Sequence, residues 1–214
     1  MSYLPDVSIL LTFTAAGLIL TITPGPDMTL FLSKALTQGR KSGLASVLGA
    51  TCGLIVHTVL AAVGVSALLA ASDLAFTVLK IVGAAYLIWL AFQAIRNGSS
   101  LTVDPVSVPQ QSFSRVWLQG LGVNILNPKI VVFFVTFLPQ FVSASDPNAT
   151  GKLLFLGTYF VALCLPVCVL MVLGASAFTK FLKSSPSFMR AFDWAFAGIL
   201  SSFAFKLLMA QANN

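Results

Sequence analysis

The chain has 214 residues, 57% of them apolar and only 8% charged, with a mean hydropathy of +0.95. A soluble domain is normally about 25% charged, so a water-soluble enzyme or binding module is excluded. Several apolar runs exceed the roughly 20 residues that cross a bilayer, which makes this a polytopic α-helical membrane protein. The net charge of +6 does not point to nucleic acid, because the basic residues sit in short segments between the apolar runs, where they report membrane orientation.

Met1-Ser2-Tyr3 lacks the basic start of a secretory signal, so the first apolar segment is expected to stay in the protein. Span one covers Val7 to Leu36. At 1.5 Å per residue an unbroken helix of that length would reach about 45 Å, against a hydrocarbon core of about 30 Å. The surplus is explained by Thr23-Pro24-Gly25-Pro26-Asp27, which places two prolines, a glycine and a carboxylate inside an otherwise apolar run. A proline inside a helix costs about 3 kcal/mol, and an acid at the bilayer centre costs roughly 2.5 to 3.5 kcal/mol. Backbone freed there must be buried in protein or line a wet cavity, so the break is read as the functional site.

A basic loop, Ser33 to Ser42, is expected to follow, and then span two, Leu44 to Ala71. Gly49, Gly53 and His57 recur every four residues and share one helix face. Small residues at that spacing form a packing seam, either within the chain or between two copies as a homodimer. His57 either hydrogen-bonds a neighbouring helix or lines the pathway. Span three, Leu74 to Ile95, carries Lys80, which is long enough to snorkel, and Tyr86 and Trp89, which lie deep. Residues 97–114 form a polar linker, flanked by Arg96 and Arg115 and therefore cytoplasmic.

Span four, Val116 to Val142, is interrupted by Asn127-Pro128-Lys129. Span five, Lys152 to Phe178, holds Cys164, Pro166 and Cys168. A basic cytoplasmic loop with Lys180, Lys183 and Arg190 leads to span six, Ala191 to Ala210. The three cysteines, Cys52 included, lie in apolar runs and imply no disulfide framework.

Pro26-Asp27 and Pro128-Lys129 lie 102 residues apart, and each places a charge directly after a helix-breaking proline. Each falls in the first span of a three-span half, so the second copy crosses the membrane in the opposite sense. The expected fold is therefore all-α, six transmembrane helices as two inverted three-helix repeats: residues 1–96, the linker 97–114, and 115–214. In transporters built this way the broken helices meet near the midplane and form the substrate site. Asp27 and Lys129, at matching places with opposite charge, are expected to be partners there.

These residues also resemble the lysine exporter (LysE/RhtB) family of bacterial amino-acid exporters. The likeness is carried by Thr23 to Asp27, Gly39 to Gly43, Gly49 through Gly53 to His57, Leu79 to Leu87, Asn127-Pro128-Lys129, Phe133-Phe134 and Leu138 to Phe141. Beyond Phe141 it extends only to hydropathy and length, and Ala91 stands where many members carry glycine. The resemblance implies a non-enzymatic secondary transporter of the cell inner membrane that exports an amino acid in exchange for protons, without a cofactor. The chain has no phosphate-binding loop ending in Lys-Ser/Thr, so an ion gradient is the remaining energy supply. The pathway is expected to comprise Pro24, Gly25, Pro26, Asp27, Gly49, Gly53, His57, Lys80, Tyr86, Asn127, Pro128 and Lys129. Two other classes compete: a thiol redox conduit through Cys164 and Cys168, which lack the neighbouring cation or helix N-terminus that lowers a thiol pKa, and a metal-ion exporter, which needs clustered His, Cys or carboxylates where this chain has one histidine and no glutamate.

Overall fold

A computed structural model describes residues 5–71, 73–97, 109–142, 146–184 and 186–209, and every regular element among them is helical. In chain order they are α1 (Val7–Ile22), α2 (Pro26–Gln38), α3 (Arg40–Ala71), α4 (Asp73–Asn97), α5 (Phe113–Ile125) and α6 (Pro128–Val132). α6 continues through a π-helical turn, Phe133–Phe137, and a 3₁₀ turn, Leu138–Phe141. α7 (Ala149–Leu173), α8 (Ala175–Ser184) and α9 (Pro186–Met209) complete the chain.

By length and composition α3 and α7 each hold a stretch able to cross a bilayer. α1 with α2, and α5 with Pro128–Phe141, pass the same test only as bent pairs, with bends of 52° and 51°. The described residues thus hold two candidate spans, or four with the bent pairs, where the sequence led us to expect six. α4 and α9 run through several residues whose side chains lie outside the described set. Both bends are built alike: Pro26 and Pro128 each occupy the first helical position, where a proline's missing N–H removes no bond.

α1 lies beside the segment after the second break, with the Phe13 ring 5.9, 6.3 and 5.2 Å from those of Phe133, Phe137 and Phe141. α2 packs on α5. The two bent pairs therefore run antiparallel and cross at their breaks. Around them α3 packs on α5 and α7, α1 on α7, and α4 on α9.

Two apolar cores lie on either side of the crossing. One gathers Phe13, Leu20, Leu87, Phe133, Phe134, Phe137 and Phe160, among others, and the second gathers Met28, Phe31, Leu32, Val47, Met171 and Val172. Between them runs a polar layer at the breaks.

Three boundaries differ from expectation. The loop expected over Ser33 to Ser42 contracts to a single residue, Gly39, whose φ of +87° is the left-handed conformation glycine adopts freely. α2 therefore runs through Lys34, and α3 starts at Arg40. Span five stops at Leu173, and Lys180 and Lys183 lie in a separate helix, α8, in place of a loop. Most of the linker, residues 98–108, lies outside the described residues. Its end is pinned to α2: Lys34 Nζ donates to Gln111 Oε1 at 2.7 Å, and Gln111 N donates to Gln38 Oε1 at 3.1 Å.

Candidate functional site

Asp27 is the second residue of α2, where the positive end of the helix dipole favours a carboxylate. Its Oδ2 accepts hydrogen bonds from Asn124 Nδ2 at 2.9 Å and Asn127 Nδ2 at 3.0 Å. Its Oδ1 is buried and has no hydrogen-bond partner. Both asparagines are 1% exposed. Asn127 also caps α6, its Oδ1 accepting from Lys129 N at 3.1 Å, so one side chain ties the second break to the acid of the first.

Lys129 is the second residue of α6, a position that disfavours a cation. Its side chain crosses instead to the end of α1, where Nζ donates to Leu20 O at 3.1 Å and Thr23 O at 2.8 Å. Those carbonyls belong to the group that a helix C-terminus leaves unbonded. Gly25 leaves room for the reach, since a Cβ there would stand 3.2 Å from Nζ, a tight contact.

The direct Asp27–Lys129 ion pair expected from the sequence is not formed. A contact of that kind does join Asp146 and Lys152, in the segment leading into α7. The reason is visible in the bonds: each post-proline charge reaches across to the other bent pair, Asp27 to Asn124 and Asn127, Lys129 to the carbonyl end of α1.

Asp27 and Lys129 both line one cavity. Its walls include Thr21, Met28, Phe31, Val47, Thr51, Leu54, Asn124, Phe160, Cys164, Cys168 and Met171. One acid and one base in an otherwise uncharged wall suit a ligand bearing both charges on a small frame.

Other expected residues serve at one remove. Pro24, Gly25, Pro26 and Pro128 form the breaks. Gly49 and Gly53 lie under α5: a Cβ on Gly49 would stand 2.0 Å from Trp117 O, and one on Gly53 would stand 2.5 Å from Asn124 Oδ1. The seam is thus filled from within the chain. His57 does not line the cavity; its Nε2 lies 3.4 Å from Asn124 O and its ring stacks on Phe134 at 5.5 Å. Tyr86 packs on Trp89 at 5.1 Å, away from the cavity walls. Lys80 belongs to α4, and its side chain lies outside the described residues. Asn124 was missed: the pair Asn124 and Asn127, one helical turn apart in an apolar run, was the available signal.

The LysE type translocator family model matches residues 18–211. The chain belongs to this family. As a LysE type translocator it is a multi-pass protein of the cytoplasmic membrane and not an enzyme. An uncharacterised membrane protein of Vibrio cholerae is 34% identical over 143 residues, covering 67% of this chain and 68% of that one. The homoserine/homoserine lactone efflux protein of Salmonella typhimurium is 32% identical over 181 residues, covering 85% and 86%. The leucine efflux protein of Klebsiella pneumoniae is 26% identical over 210 residues, covering 94% and 95%. No solved structure matches the chain.

Proposed function

We propose that this LysE type translocator exports a small amino acid or a close derivative by proton antiport, binding it in the cavity between the two breaks. The observation that carries this reading is that Asp27, one of whose carboxylate oxygens has no hydrogen-bond partner, and Lys129 line the same cavity. An α-ammonium group supplies the missing donor to Asp27. The α-carboxylate takes the third N–H of Lys129, whose other two are held by Leu20 O and Thr23 O. A proton on Asp27 competes with the ammonium for the same oxygen, so loading substrate and loading a proton exclude one another, as antiport requires. Asn124 and Asn127 hold the carboxylate in place through both exchanges.

The architecture proposed for this task is a pair of inverted three-helix repeats, residues 1–96 and 115–214. The support is the matching bends, the antiparallel crossing and the reciprocal contacts: α3 with α5 answers α7 with α1, while α3–α7 and α4–α9 each pair an element with its own counterpart. The names of the homoserine and leucine efflux relatives agree with a substrate that is small and neutral in its side chain. A metal cargo is the weaker reading, since no three His, Cys, Asp or Glu side chains cluster among the described residues.

The test is efflux of labelled leucine, threonine and homoserine from cells overproducing the protein. At least one is expected to leave faster than from control cells, and collapse of the proton gradient is expected to abolish the difference. Efflux that persists after uncoupling contradicts antiport, and no accelerated efflux of any of the three contradicts the substrate class.

A further inference from the structure

A second cavity lies across the breaks from the first. It is lined by Ala16 and Leu20 of α1, Leu87 of α4, Lys129 and Val132 of α6, Phe133 and Phe137 of the π-helical turn, and Ile199 and Leu200 of α9. The first cavity draws Asp27, Met28 and Phe31 from after the first break and Asn124 from before the second, and reaches across the breaks to Leu20, Thr21, Lys129 and Ile130. The second takes residues before the first break and after the second. In an antiparallel pair of bent helices those two sets lie on opposite sides of the crossing plane. The cavities therefore sit towards opposite sides of the crossing, and the residues they share are Leu20 and Lys129.

Leu20 and Lys129 stand between them. Lys129 Nζ is bonded to Leu20 O and Thr23 O, so its stem and the Leu20 side chain form the partition. Among the described residues that line it, the second cavity offers no carboxylate, and its charged wall is Lys129. Beyond it the rings of Phe13, Phe137 and Phe141 close together, with centroid distances of 5.0 to 6.3 Å.

We propose that the second cavity is an exit site for the substrate, holding the carboxylate on Lys129 and an uncharged aliphatic side chain against Leu87, Val132 and Leu200, with Lys129 the ligand common to both sites. This deepens the export reading above and rests on it. Lys129 passes the substrate by swinging its head group off the α1 carbonyls, which accept it again once the substrate has left. A cationic side chain in the second cavity meets the Lys129 ammonium with no acid to offset it, so lysine and arginine are excluded there and leucine-like or homoserine-like side chains are admitted.

The first arm of the test needs no substrate. In the full-length chain, Cys168 reports on the first cavity with Cys52 and Cys164 replaced by alanine, and Ile199→Cys reports on the second with all three natural cysteines replaced. Hydroxyethyl methanethiosulfonate is the probe, neutral so that removing Lys129 does not alter its attraction. With Lys129 intact, Ile199→Cys is expected to react at least ten-fold more slowly than Cys168. Lys129→Ala, or Leu20→Ala should the former fail to reach the membrane, is expected to bring the two rates within three-fold. Equal rates with the partition intact, or a slow rate that neither substitution raises, overturns the proposal. The second arm fills the cavity with Ile199→Trp. Efflux of the amino acid exported by the unmodified chain is expected to fall at least ten-fold while that amino acid still protects Cys168 from the probe. Unchanged efflux, or loss of that protection at normal membrane abundance, overturns the exit site. Failure of the unmodified chain to export any amino acid sinks the export reading instead, and leaves the first arm to judge the partition.

Discussion

Asp27 Oδ1 is a buried acceptor without a donor, and such a group costs about 1 to 3 kcal/mol. The molecule tolerates it because the other oxygen is held by two amides, which fix the carboxylate rigidly at the cavity wall. Gly53 protects that arrangement, for a methyl group there would stand 2.5 Å from Asn124 Oδ1. Gly53→Ala is therefore expected to push the Asn124 amide off Asp27 and lower the efflux rate about ten-fold, equivalent to about 1.4 kcal/mol. Efflux measured at matched membrane abundance checks it, and an unchanged rate refutes it. His57 bonds the end of α5 and lies off the cavity, so His57→Gln, which keeps a donor but does not titrate near neutral pH, is expected to keep efflux within about two-fold with the same pH dependence. Complete loss at normal abundance contradicts this. Asp27 and Lys129 were legible in the sequence because a charge set directly after a proline in an apolar run is too costly to stand there without a task. Asn124 was not, since an uncharged amide inside a span carries little cost to flag it, and its partner lies 97 residues away.

The helix breaks were equally legible, because proline removes a donor wherever it stands and the apolar runs around it were too long for one straight crossing. Less visible was how little chain the connections need. Gly39 turns α2 into α3 alone, and hydropathy spreads the same basic residues over a ten-residue loop. α8 was hidden for the opposite reason: its lysines read as a loop, although with Phe178 and Phe181 between and beside them they fit a helix lying along a surface. The α3–α5 seam carries a sharper consequence. Gly49 and Gly120 let two backbones meet, each leaving no room for a Cβ against the other helix: 2.0 Å from Trp117 O and 2.1 Å from Ser46 O. Without a hydrophobic drive between helices in lipid, such close approach supplies much of the packing. Gly49→Ala and Gly120→Ala are each expected to destabilise by about 1 to 3 kcal/mol, as overpacking does, seen as a lower melting temperature in detergent. An unaltered melting temperature for both is the contrary result.

At the scale of the whole molecule, the polar layer between two apolar cores is where the bent pairs cross, and each half completes the other there. For the six spans expected from the sequence, the charge bias puts both termini outside: Lys34, Arg40, Lys41, Arg96, Arg115, Lys180, Lys183 and Arg190 all fall in or beside the three segments assigned to the cytoplasm. Cysteines introduced at Ser2 and Asn213 are expected to react with an impermeant reagent in intact cells, and protection of both refutes the orientation. The crossed bonding at the breaks also explains why pairing opposite charges by sequence alone misled: two helix ends offered each charge a nearer partner than the other charge did. In the proposed export cycle the unpartnered oxygen of Asp27 receives the substrate ammonium. Its most direct test is Asp27→Asn, reconstituted in proteoliposomes and loaded with the amino acid the unmodified chain exports. Efflux is predicted to fall at least about a hundred-fold, equivalent to about 2.7 kcal/mol, at normal membrane abundance. Efflux at the unmodified rate would show that Asp27 does not receive the substrate.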